Sequence, residues 1–102
     1  MKYLSNNDSL CIFDWMIKDL HLCGSSLILY AVIYRDCKKF GEFTMPLRYL
    51  CEWAGVTKQG ALKALKKLEE SNIIKKEVYY LDGAKQCKYK VVIPKYIRSD
   101  TL

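Results

Sequence analysis

Two amphipathic stripes of helical period lie almost end to end, with only Gly55-Val56-Thr57 between them. Leu47, Leu50, Cys51 and Ala54 recur at i, i+3, i+4 and i+7, and Ala61, Ala64, Leu65 and Leu68 repeat that spacing. Each segment therefore presents one apolar face when it is wound as a helix. So short a link forces the two helices to cross steeply. Its residues suit the task. Gly55 can take the left-handed backbone that ends a helix, Val56 can plug inward, and the Thr57 hydroxyl can cap the second helix. Upstream, Thr44 can cap the first helix, with Pro46 in a first-turn position where its missing N–H is not needed. Arg48, Tyr49 and Glu52 fall on the outer side of that helix.

Beyond Leu68 the period changes. Ser71-Asn72 ends the helix and Ile73-Ile74 returns the chain to the core. Lys75–Leu81 is rich in strand formers (Val78, Tyr79, Tyr80), Asp82-Gly83 is a two-residue hairpin signal, and Gln86–Ile93 is the return strand. Cys87, Tyr89, Val91 and Ile93 alternate with Lys88, Lys90 and Val92, so one face packs and the other stays polar. Pro94 ends the pairing.

The first half reads as helices. Met1–Ser9 is a polar lead-in. Leu10–Phe13 is a short apolar run, readable as a strand or as the start of a helix. Asp14 can cap a short helix whose apolar side is Trp15, Met16, Ile17 and Leu20. Cys23-Gly24-Ser25 stops it, and Ser25 or Ser26 can cap the next helix, about Ser26–Lys38. Leu27, Ile28, Tyr30, Ala31, Ile33 and Tyr34 leave that helix apolar nearly all round, which places it centrally. Phe40–Phe43 is a short extended link whose Phe43 points inward. The expectation is a mainly α chain with a small β-hairpin: a three-helix core plus wing, with a short extra N-terminal helix. The reading divides it into a flexible lead-in (1–9), one folded domain (10–96) and a tail (97–102), since 102 residues support a single core.

Charge and cysteine usage narrow the function. Residues 1–57 carry six basic and six acidic side chains. Residues 58–98 carry eleven lysines or arginines against Glu69, Glu70, Glu77 and Asp82, a net +7. Such asymmetry points to a polyanionic partner for the second half. The five cysteines are odd in number and widely spaced, and His21 is the only histidine, so no zinc spacing occurs. Cys11, Cys51 and Cys87 sit in apolar sequence surroundings and read as small reduced hydrophobes. Reduced thiols, no signal segment and no membrane span imply a cytoplasmic protein without a membrane partner. No nucleophile–histidine pair, phosphate-cradling glycine loop or metal cluster is present, so neither an enzyme nor a cofactor is expected.

A helix in the major groove of double-stranded DNA reads base edges with its N-terminal part. Lys58, Gln59 and Lys63 are the reading candidates, because lysine donates to guanine and glutamine can bond adenine in two places. Gly60 would allow close backbone approach. Lys66 and Lys67 suit phosphates, and Thr57 can serve as both cap and phosphate contact. Lys76, Lys85, Lys88 and Lys90 on the hairpin suit phosphates or a minor groove beside that helix. The competing reading is a structural ribbon whose lysines guard an exposed edge. Tyr79, Tyr80 and Tyr89 can stack on bases or pack across strands. Leu62, between the apolar stripe and the lysine face, can meet a thymine methyl, a partner chain or the core edge.

Taken together, the segments FDWMIKDLHL (13–22), LILYAVIY (27–34), GEFT (41–44), YLCEWAGVTKQGALKALKKLEESNIIKK (49–76) and DGAKQCKY (82–89) resemble winged helix-turn-helix DNA-binding domains. More narrowly, they are similar to the domain near the N-terminus of phage, plasmid and mobile-element replication initiators of Gram-positive bacteria, some of which carry a DnaD-like replication domain. The resemblance spans about residues 10–93. It implies origin binding in replication initiation, or transcription regulation, with a homodimer and replication proteins as further partners. Family members usually have glycine where Asn72 stands and valine or similar at Ala61. No second domain is expected after Pro94, so initiator activity needing one is not expected of this chain alone. The alternative is a protein-interaction module lacking sequence-specific DNA binding, with Trp15, Trp53, Leu62 and the apolar N-terminal segment forming a dimer or replisome contact.

Overall fold

The apolar girth of the second helix decides the architecture. In the computed structural model, which describes residues 9–93, α2 (Gly24–Phe40) packs against α1 (Asp14–Lys18), α3 (Leu47–Ala54), α4 (Lys58–Glu70) and β2 (Ala84–Val91). Leu29, Tyr30, Ala31, Val32 and Ile33 are fully shielded from solvent. This is the central helix expected from its composition, longer at both ends than the apolar run. The lead-in up to residue 8, and the end of the domain and the tail from Pro94 on, lie outside the described residues.

The α3–α4 pair forms as its spacing requires. Gly55 ends α3 with φ 66° and ψ 35°, and Thr57 caps α4 by accepting the Gly60 N–H at 3.1 Å. Ala61, Ala64, Leu65 and Leu68 are all buried against the core. Burying each leucine side chain contributes on the order of 1.5–3 kcal/mol. Asn72 adopts φ 60°, which asparagine tolerates, and turns the chain into β1 (Ile74–Leu81).

β1 and β2 pair antiparallel with Leu81 opposite Ala84, so Asp82 and Gly83 alone make the turn, both at positive φ. Such a turn matches the twist of the strands it joins. The wing is anchored at its base. Phe43 and Tyr89 exchange backbone hydrogen bonds of 2.8 and 2.9 Å, and the Val92 N–H donates to the Ile73 carbonyl at 2.8 Å. Phe43 is buried, as expected. Among the described residues the arrangement is a winged helix-turn-helix: four helices, three of them forming the core, and a two-stranded antiparallel hairpin. Among the described residues no helix is long and apolar enough to cross a membrane.

Several local expectations fail, mostly at helix starts. Asp14 does not cap α1; Phe13 is the N-cap residue, and Asp14 instead pairs loosely with Lys18 at 3.9 Å. Neither Ser25 nor Ser26 caps α2, because the helix begins at Gly24 and both already lie in its first turn. Thr44 does not cap α3. Pro46 itself is the N-cap, with ψ 159°, so the first helical residue is Leu47 and the threonine is too far upstream. Proline also biases Met45 toward extended backbone, which prevents an earlier start. Ile17 is half exposed, whereas Tyr49 is buried instead of lying outside. Cys11 is exposed, and Cys51 and Cys87 are half-buried; all five cysteines are free.

Tyr49 turns inward because Arg35 meets it. The Arg35 guanidinium donates to the Tyr49 hydroxyl, to the Ser9 carbonyl at 2.9 Å and to buried Asp36 at 3.3 Å. It also lies 4.9 Å from the centre of the Trp53 ring. One side chain thus joins α2, α3 and the segment preceding α1.

Candidate nucleic-acid interface

With the inner stripe of α4 committed to the core, its other residues face outward. Gln59, Lys63, Lys66 and Glu70 recur at helical spacing along the exposed side. Gly60, Lys63 and Lys67 border a groove whose opposite wall is Ser25 and Ser26 at the start of α2. On the other flank, Leu62 and Lys66 share a groove with Lys76 and Tyr89 of the wing. Lys85 and Cys87 extend that wall further along the hairpin. Lys58 lies at the start of α4 beside Arg48 and Pro46. Among the described residues, Lys58, Lys63, Lys66, Lys67, Lys76 and Lys85 form no ion pair.

The strand register divides the four wing lysines. Lys85 pairs with Tyr80 and Lys76 with Tyr89, on the face shared with Ile74, Val78 and Cys87. Lys88 and Lys90 belong to the opposite face, with Glu77 and Tyr79. There they are occupied. Lys88 lies 3.1 Å from Glu42 and 3.9 Å from Glu77, and Lys90 lies 3.7 Å from Glu77. The Glu42 hydrogen bond and charge raise the Lys88 pKa. Residues grouped together from the sequence as one basic hairpin therefore form two sets. Lys76 and Lys85 continue the α4 surface, whereas Lys88 ties the back of the wing to the α2–α3 link through Glu42 and Lys90 pairs within the wing with Glu77. Alternation along β2 could have separated Lys85 from Lys88 and Lys90, but the carboxylate partners come from β1 and from Glu42, which only folding brings near.

Thr57 and Gly60 also have structural duties. Thr57 holds the Gly60 N–H, and a Cβ built on Gly60 would sit 3.4 Å from the Thr57 hydroxyl oxygen and from Val56 Cβ. That is snug contact without severe overlap. Residues absent from the sequence-based candidates also join the surface. Arg48 stands in the first turn of α3 beside Lys58, a position the helix-turn-helix spacing could have flagged. Ser25 and Ser26 reach the groove only because α2 packs across α4, so no local signal marks them. The aromatic candidates are split. Tyr80 is 71% exposed on the wing, whereas Tyr89 is half-buried and its hydroxyl pKa rises to about 12, through burial first and the nearby Glu69 charge second. Trp15, a candidate for partner contact, is buried against Tyr30 and Tyr34.

No protein-family model matches the chain, and no curated protein matches it by sequence. Among solved structures, the chain is similar to Stf76 from the Sulfolobus islandicus plasmid-virus pSSVx, at 20% identity and a TM-score of 0.48, over 67% of this chain and 86% of that one.

Proposed function

We propose that this chain is a double-stranded DNA-binding module that inserts α4 into a major groove and lays one face of the wing against the adjacent backbone. The observation that carries the reading is the set of unpaired lysines on a connected surface. Lys58, Lys63, Lys66 and Lys67 come from α4, and Lys76 and Lys85 from the side of the wing bordering it. Glu69 and Glu70 border the same surface toward the end of α4, yet among the described residues these six lysines form no ion pair with them. Gln59 and Lys63 are placed to reach base edges, and Lys66, Lys67 and Thr57 to reach phosphates. The module works by binding, without catalysis or a cofactor. The resemblance to replication initiators of mobile elements favours origin recognition, with transcription regulation as the other outcome of the same chemistry.

Binding to duplex DNA is measured against salt, with selection from a random sequence pool. Lys66→Ala should weaken every sequence about equally, and Gln59→Ala should change the preferred sequence. Binding indifferent to salt and to both substitutions would defeat the proposal. A second reading, a protein-docking module, has its own support in Val78, Tyr80 and Leu81, all exposed on the wing. A stable dimer in solution with no DNA affinity would favour it.

A further inference from the structure

Leu62 is the one large apolar side chain of α4 left outside the core, 48% exposed among lysines. It lies one residue from Lys63, and at helical neighbour spacing from both Gln59 and Lys66. It therefore belongs to the same N-terminal half of the helix as the base-reading candidates. Its side faces the groove walled by Lys76 and Tyr89, and Met45, also partly exposed, lines the adjoining stretch. About half of this leucine remains in solvent, in a groove that sets Lys66 and Lys76 beside Glu69 and Glu70. The excess of lysine over α4 and the wing as a whole favours a polyanionic occupant. Within a DNA major groove the apolar feature is the C5 methyl group of thymine.

We propose that Leu62 is a specificity-determining residue that packs on a thymine methyl, making the bound sequence depend on that methyl at one position. The inference rests on the DNA-binding reading above, and deepens it by naming the base that this flank of α4 selects. Lys63 and Gln59 would supply hydrogen bonds to neighbouring base edges, while Lys66 and Lys76 hold the backbone on either side of the contact.

Uracil differs from thymine only by that methyl, so the test replaces each thymine of the selected duplex, one at a time, by deoxyuridine. The wild-type chain should lose about fourfold in affinity at one thymine, the equivalent of burying one methyl-sized group. Leu62→Ala should bind thymine and uracil alike at that position, and Leu62→Met should keep the preference. The proposal is overturned if no position responds to the lost methyl, or if Leu62→Ala shows the same loss as wild type. It is also overturned if wild type is a dimer that Leu62→Ala dissociates, which would assign the side chain to a protein contact. Failure of the wild-type chain to select any duplex would instead sink the DNA-binding reading itself, so the two failures are told apart.

Discussion

Gly60 and Arg35 show how single residues divide between fold and function. A glycine inside a helix is costly relative to alanine, by roughly 0.5–1 kcal/mol. The space at Gly60 would accept a methyl group at 3.4 Å from its neighbours. Gly60→Ala should therefore leave stability unchanged or raise it by up to about 1 kcal/mol, read from urea unfolding. If α4 needs its backbone close to DNA there, the same variant should bind several-fold more weakly. A stabilised variant with undiminished affinity would remove Gly60 from the interface. Arg35 is the reverse case, a charged residue with a structural task. Its removal would strand buried Asp36 and empty the space over Trp53. Because Arg35 is itself partly exposed, Arg35→Ala should lower stability by about 1–3 kcal/mol. Arg35→Lys should recover little of this, since an ammonium cannot span several partners and stack on a ring as a planar guanidinium does.

At the scale of elements, the wing carries the main discrimination. Its two faces differ in what their lysines are free to do: among the described residues Lys76 and Lys85 have no carboxylate partner, while Lys88 pairs with Glu42 and Glu77 and Lys90 with Glu77. Each lysine that neutralises a phosphate adds about 0.9 to the slope of log affinity against log salt. Lys76→Ala and Lys85→Ala should each reduce that slope by about 0.9. Lys90→Ala should leave it nearly unchanged, and Lys88→Ala should act mainly by loosening the wing from Glu42. Hydrogen exchange in β2 would register such loosening independently of DNA. Equal slope losses from all four substitutions would mean that both faces of the wing meet phosphates. Alternation along β2 marks the faces in the sequence, yet pairing with Glu77 and Glu42 follows from strand register and from the Phe43–Tyr89 bridge. Helix starts were poorly legible for a related reason. Thr44, Ser25 and Ser26 are all good capping residues by type, but where each helix begins was decided by Pro46 and by the entry of the chain at Cys23 and Gly24.

Across the whole molecule, burial of ionisable groups around α2 sets an alkaline limit. Burial, reinforced by Tyr34, raises the Tyr30 phenol well beyond its ordinary range. Tyr89 rises to about 12, and the Cys37 thiol is raised mainly by burial. These groups hold their protons longer in the folded chain than in the unfolded one. The contribution of the two tyrosines is fully present below their ordinary pKa of about 10, and that of Cys37 below its ordinary 9.0, and each is lost as pH climbs through the raised value. The urea midpoint should thus be flat to about pH 8, begin to fall as the Cys37 thiol titrates in the unfolded chain, and fall most between about pH 10 and 12. Tyr89→Phe should shrink that fall, and a midpoint independent of pH across this window would contradict it.

The sequence by itself determined the succession of elements. The two helical stripes, the Gly55-Val56-Thr57 break, the left-handed Asn72 and the Asp82-Gly83 turn are local, and their physics is settled within a few residues. It also located the excess positive charge after Thr57, because charge is additive along a chain. Tertiary structure alone decided which of those charges remain available. Lys88 and Lys90 are occupied because folding brings Glu42 and Glu77 beside them, and Tyr49 is buried because Arg35 reaches across from α2. Ser25 and Ser26 face α4 because the central helix crosses it. Each of these depends on distances between residues far apart in the chain, which no local pattern encodes.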